Sequence, residues 1–285
     1  MATAFARCAL ALLAVPLLAA AAPAADGERM LQEVAASVLP VSGYQSRVVL
    51  GDSIVKLVQA GVLDPQKFEA IYARRGGIPK ELKDVLAKPS HKPILLTRTN
   101  ALVYVNLLWS LGLANRMAAN DASPLNGSSR YNFASTGGWK LGKAANGGEY
   151  FNRFAIVALS PRQEALVARV ARNTYRPCCD NSTFFQDCNH GSALLGLLAL
   201  GAAQGLSEDE LYREALAFNA YWFPDNYLQT ALYFKAVKNL EWGQVDARVL
   251  LSADFSSASG WRRNVTRELA TRGLVPPQNG PSCSA

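Results

Sequence analysis

Residues 97–118 constrain the fold more than any other stretch. Leu102, Val103, Val105, Leu107, Leu108, Trp109, Leu111 and Leu113 cover nearly every face of a helix drawn through them. A helix that is apolar on all sides either crosses a membrane or lies at the centre of a domain. Arg98, Asn100, Asn106 and Arg116 bracket and interrupt the run, leaving it short of the about 20 apolar residues that a bilayer demands. The expectation is a central core helix with the remaining chain wrapped around it.

The wrapping also reads as helical. Met30, Val34 and Val38 repeat at helical spacing before Pro40, and Asp52-Ser53 opens a short helix closed by Gly61. Asp64-Pro65 is a strong start, because Asp caps and Pro at the first helical position gives up only an amide that has no partner. Ser160-Pro-Arg-Gln163 and Ser207-Glu-Asp-Glu210 are capping boxes. Further helices are predicted over 79–87, 190–204, 226–237 and from Ser259 or Gly260 to about Thr271, with residues 88–93 a loop carrying His91. No convincing strand alternation is visible. The predicted fold is all-α: an irregular multi-helix bundle or array of about nine or ten helices without a repeat period.

One segment breaks the pattern. Residues 120–152 are rich in Gly, Asn and Ser, and Phe133-Ala-Ser-Thr-Gly-Gly-Trp-Lys-Leu-Gly142 keeps no helical period. A loop this long inside a compact domain is either functional, mobile or a plain surface connection. The chain therefore divides into 26–119 (N-terminal helical part), 120–152 (long loop), 153–275 (C-terminal helical part) and 276–285 (tail).

Residues 1–25 read as a secretory signal peptide. Arg7 forms a short positive region, residues 8–22 an apolar run broken by Pro16, and Ala22-Pro23-Ala24 offers small residues for cleavage. The expectation is an exported protein, periplasmic or extracellular, with no transmembrane segment in the mature chain. Of the net charge of +7, Arg7 contributes one, and the remaining cations are scattered. Nucleic-acid binding wants a basic stripe with interleaved aromatics, so nucleic acid is excluded as a partner. No phosphate-loop, G-x-S-x-G, H-E-x-x-H or C-x-x-C-H pattern occurs, which argues against nucleotide cofactors, serine hydrolases, zincins and c-type haem.

Chemistry concentrates in residues 174–191, which hold Cys178, Cys179, Cys188 and His190. These are three of the chain's five cysteines and one of its two histidines. Three thiolates and an imidazole are a sufficient first shell for zinc, and soft sulfur also suits copper. Cys188 sits where a helix begins, so the helix dipole favours its thiolate. Asp180, Asp187 and Asn189 are available to orient the imidazole, and the distant His91 is an alternative nitrogen ligand. Export offers a different outcome. In an oxidising compartment Cys178 or Cys179 could bond to Cys188, closing a loop worth about 2.5–3 kcal/mol, with the spare thiol reaching Cys283.

Cys188 with the apolar helix that follows it, and Gln186 just before it, resembles the nucleophile helix of papain-like and transglutaminase-like hydrolases over about fifteen residues. The resemblance implies Cys188 as a catalytic nucleophile and Gln186 as an oxyanion donor. Those families place the base histidine downstream, and no histidine follows His190.

The functional expectation is an exported helical protein whose Cys178/Cys179/Cys188/His190 loop binds copper or zinc or performs thiol redox chemistry, its partner being a metal ion or small ligand. Two alternatives stand beside it. One is a disulfide-stapled binding protein for a glycan or protein partner, using the aromatics of residues 212–242. The other is a Cys188 enzyme. That aromatic run, Tyr212 to Trp242, has helical spacing and is expected chiefly in the core.

Overall fold

The computed structural model describes residues 21–276. Most of the expected signal peptide, Cys8, Cys283 and nearly all of the tail lie outside the described residues. In chain order come α1 (Ala21–Val38), β1 (Tyr44–Gly51), α2 (Ser53–Gln59), α3 (Pro65–Tyr72), α4 (Lys80–Asp84), β2 (Ser90–Leu96), α5 (Ala101–Ala114), α6 (Pro161–Arg172), α7 (Asn189–Ala203), α8 (Glu208–Trp222) and α9 (Pro224–Lys238). Short helical turns at Ala247–Leu250 and Ala253–Ser256 lead into a terminal helical stretch, 258–271, that contains one π turn at Arg262–Thr266.

The architecture is all-α, built around α5 as expected. Val103, Val105, Leu107, Leu108, Leu111 and Leu113 are all buried. α5 packs directly on α7, which is equally apolar and is flanked by α6 and α8. Two glycines let these backbones meet. A Cβ on Gly112 would lie 1.8 Å from the Ser192 carbonyl oxygen, and one on Gly196 would lie 2.4 Å from that of Leu108. The crossing therefore pins the first turns of α7, including its N-terminus, against the middle of the molecule. α1 lies along α9 and joins a smaller cluster with the terminal helical stretch.

Both capping boxes form as predicted. Gln163 N donates to Ser160 Oγ and Ser160 N to Gln163 Oε1, with the equivalent pair between Ser207 and Glu210. Asp64 caps α3 by accepting from Gln66 N and Lys67 N. The expected cap at Asp52 accepts no backbone N–H of α2 with its side chain, which instead pairs with Lys56 of that helix at 3.0 Å.

The structure adds a two-stranded antiparallel ribbon, β1 with β2, in the register Tyr44↔Leu96 and Gly51↔Ser90. It corrects the expectation of no strands and of a loop at residues 88–93. A period of two is present in β1, with Ser46, Val48 and Leu50 inward and Gln45 and Arg47 outward, but a serine at an inward position hides it. Ser46 is tolerated there because its hydroxyl donates to the buried Glu214 carboxylate at 2.6 Å, which also accepts from Tyr44 OH and Arg47 N. Pro93 fits in β2 because a two-stranded ribbon leaves one side of each strand unpaired. His91 lies exposed on β2.

Residues 120–152 have only short 3₁₀ turns, yet they form a packed plate and not a loose surface connection. Leu125, Trp139, Tyr150 and Phe151 are buried. The Trp139 indole donates to the Val62 carbonyl at 2.8 Å, and Tyr150 OH donates to that of Gly61 at 2.9 Å. From α5, Trp109 donates to the Ser135 carbonyl and meets the Trp139 ring edge-on at 4.9 Å.

Candidate metal centre

Between α6 and α7 the chain runs through residues 173–188 as an irregular loop, because Pro177 cannot continue α6. Distant segments fix its path. Tyr175 N donates to the Leu251 carbonyl, Ala258 N to that of Cys179, and Ser135 N, from the plate, to that of Asp187. Ser259 N donates to Asp180 Oδ1 at 2.7 Å. This bond is the main reason that the Asp180 carboxyl lies below its usual range, and it occupies Asp180 as a cap away from any imidazole.

The loop brings three sulfurs together. The Sγ atoms of Cys178, Cys179 and Cys188 all lie within 4.8 Å of one another, and Cys178 and Cys188 are 3.5 Å apart. This separation is far beyond the about 2.05 Å of a disulfide, and no disulfide joins the three described cysteines. Cys188 is the N-cap of α7, accepting from Gly191 N at 3.4 Å.

Sequence reasoning missed the residue at the centre of the cluster. Arg176 is 0% exposed. Its Nε donates to Cys188 Sγ at 3.2 Å, Nη1 to the Asn181 carbonyl at 2.8 Å, and Nη2 to the Phe185 carbonyl and to Asp187 Oδ1. Asp187 also accepts from Asn181 Nδ2 at 2.9 Å and from the Cys179 thiol at 3.8 Å. Asn181 is thus engaged inside the cluster through both its carbonyl and its side chain. The one available signal was Gly191: a Cβ there would sit 2.7 Å from Arg176 Nη2, so the glycine makes room for the guanidinium.

Charge follows from these contacts. Hydrogen bonds from Cys178 and then Cys179 hold the Cys188 thiol well below its ordinary value against the cost of burial, helped by the Arg176 charge. Cys178, as the donor to its neighbours and buried, is pushed up. For Cys179 the bond with Cys178 lowers the value, but the bond with Cys188 and burial outweigh it, leaving it at about 12. Burial works against the Arg176 charge, and the facing sulfur of Cys188 more than restores it. The cluster favours one thiolate, at Cys188, paired with a guanidinium.

His190 stands apart from the three sulfurs. It is buried, its ring 4.5 Å from that of Phe223 and 5.9 Å from that of Trp222, and it does not belong to the set of donor atoms within 4.8 Å of one another. Burial lowers it to about 4, with the Cys188 charge opposing and Arg176 assisting, so it is neutral at pH 7. It lines a cavity of about 230 Å³ with Ile71, Tyr72, Leu102, Val105, Asn106 and Asn189. Gln186, the expected oxyanion donor, is buried with Oε1 accepting from Ser192 Oγ at 2.8 Å and Nε2 unpartnered. The aromatics Tyr212, Phe218, Tyr221, Trp222, Tyr227, Tyr233 and Phe234 are core residues, not a stacking platform.

The sulfurs fit a metal ion. Bonds of about 2.3 Å from a central ion place three sulfurs roughly 3.8–4.0 Å apart, inside the 4.8 Å spread of the cluster and slightly wider than the 3.5 Å Cys178–Cys188 gap. Among the described residues no helix is long and apolar enough to cross a membrane. The chain matches no protein-family model, no curated protein and no solved structure.

Proposed function

We propose that the protein binds one soft d¹⁰ metal ion through Cys178, Cys179 and Cys188, with copper(I) preferred over zinc. The observation that carries this is the convergence of three sulfurs, with no fourth donor grouped with them among the described residues. Zinc in structural sites takes four ligands, and His190, the imidazole of the same loop, lies outside the set of close donors with its ring held against Phe223. Copper(I) is satisfied by soft thiolates alone. Bound copper(I) would act as a redox-active soft cation; the chain's own part is to hold three sulfurs, offset their negative charge with Arg176, and keep them half-buried between α6 and α7. Residues 1–25 support the further proposal that this happens after export.

The test is metal analysis of the full chain, purified without chelator and reconstituted under reducing conditions. One copper per chain, retained on gel filtration in the wild type and lost in Cys188→Ala, is expected, with zinc bound more weakly. Equal copper retention by Cys188→Ala would end the proposal. A site that holds zinc more tightly than copper would move the fourth ligand to His190.

A further inference from the structure

The three sulfurs differ in their partners in a way that metal binding alone does not require. Cys178 Sγ lies 3.5 Å from Cys188 Sγ, whereas the Cys179 thiol is engaged with Asp187 and its backbone carbonyl accepts from Ala258 N. The Cys188 sulfur accepts two N–H groups, from Arg176 Nε and Gly191 N, which stabilise negative charge on it and mark it as the attacking atom. A vicinal bond between Cys178 and Cys179 is disfavoured, because neighbouring Cα atoms stand about 3.8 Å apart where disulfides span about 4.4–6.8 Å.

We infer that Cys188 and Cys178 form a peroxide-oxidisable pair that closes to a disulfide, with Cys179 left as a thiol. The Cys188 sulfur attacks one oxygen of hydrogen peroxide. The S–O bond forms, the O–O bond breaks, and the leaving hydroxide takes a proton from solvent to become water. Cys188 is now a sulfenic acid. The Cys178 sulfur then attacks the Cys188 sulfur, the S–S bond forms, the S–O bond breaks, and hydroxide leaves with the Cys178 proton as a second water. Two electrons pass from the sulfur pair to the peroxide. Closure needs the two sulfurs to approach by about 1.5 Å, which side-chain rotation in the irregular loop supplies. Arg176, held by Asp187 and two carbonyls, stays beside the reacting sulfur to face the departing hydroxide.

The pair reacts whether or not the chain binds metal, but the two states exclude each other, since closure removes two of three sulfur ligands. Oxidation is therefore also a route to metal release.

The experiment treats metal-free full chain with hydrogen peroxide, alkylates the remaining thiols, and maps crosslinked peptides by mass spectrometry. In the wild type and in Cys179→Ser, a crosslink between residue 178 and Cys188 is expected. In Cys178→Ser the crosslink is lost and Cys188 proceeds to sulfinic acid. A crosslink surviving in Cys178→Ser, its loss in Cys179→Ser, pairing of Cys188 with Cys283, or overoxidation of the wild type without a crosslink would each overturn the inference. A second arm adds peroxide to copper(I)-loaded chain, where metal release is expected in step with crosslinking. Because the first arm contains no metal, failure of the copper reading leaves its outcome intact.

Discussion

Replacing Arg176 by Ala tests the centre of the cluster directly. The side chain is wholly buried and supplies hydrogen bonds to Cys188 Sγ, to the Asn181 and Phe185 carbonyls, and to Asp187. Removing one partner of a buried ion pair costs about 3–5 kcal/mol, because the other charge is left behind. Asp187 keeps 18% of its side chain exposed and one bond from Asn181, so water offsets part of that loss. The carbonyls left without donors, together with the cavity, add to it. A net destabilisation of about 3–5 kcal/mol is expected, read as a lower urea midpoint at unchanged m-value. For a chain of this size it corresponds to roughly 6–20 °C in Tm. Arg176→Lys keeps the charge but not the planar fork and should fall between. The Cys188 thiol, followed by its thiolate absorbance, should titrate at higher pH in Arg176→Ala than in the wild type. An Ala variant within about 1 kcal/mol of wild type, or an unshifted thiol, would show that the guanidinium neither anchors the loop nor charges the sulfur.

Acid sensitivity follows from His190. Its folded value is about 4 against an ordinary 6.5, so between these the unfolded chain binds a proton that the folded chain does not. Its contribution is present above pH 6.5 and is lost as pH falls through the window, by up to about 3 kcal/mol. Chemical denaturation across that range should show the slope in metal-free wild type but not in His190→Phe, and an equal slope in both would refute the assignment. Gly112→Ala would drive a Cβ to 1.8 Å from the Ser192 carbonyl oxygen. Since both atoms belong to helix backbone or its first substituent, α5 and α7 must separate. A loss of about 1–3 kcal/mol or more is expected by thermal unfolding, and a neutral outcome would mean that the crossing is not close-packed.

Much of the scaffold was legible in the chain alone. The capping boxes at Ser160 and Ser207, the Asp64-Pro65 start and the all-round apolar run of α5 each encode their structure within a few residues, through local hydrogen bonds and periodicity. β1 was not legible, because Ser46 interrupts its apolar alternation and is accounted for only by Glu214, 168 residues away. The 120–152 plate looked like a loose connection because its order comes from single long-range bonds, such as Trp139 to the Val62 carbonyl, with no repeating pattern to betray them.

The site divides along the same line. Composition and position determined by themselves that residues 174–191 carry three thiols and an imidazole, and that Cys188 opens a helix. Only the tertiary structure decided how they group. It converges the three sulfurs, turns His190 toward Phe223 and Trp222, leaves His91 exposed on β2, and seats Arg176 against Cys188 over Gly191. The physical reason is that ligand geometry depends on where α6, α7, the plate and the 247–261 turns place the loop. A buried arginine is stable only where folding brings it an anion and spare carbonyls, and no local pattern announces that arrangement.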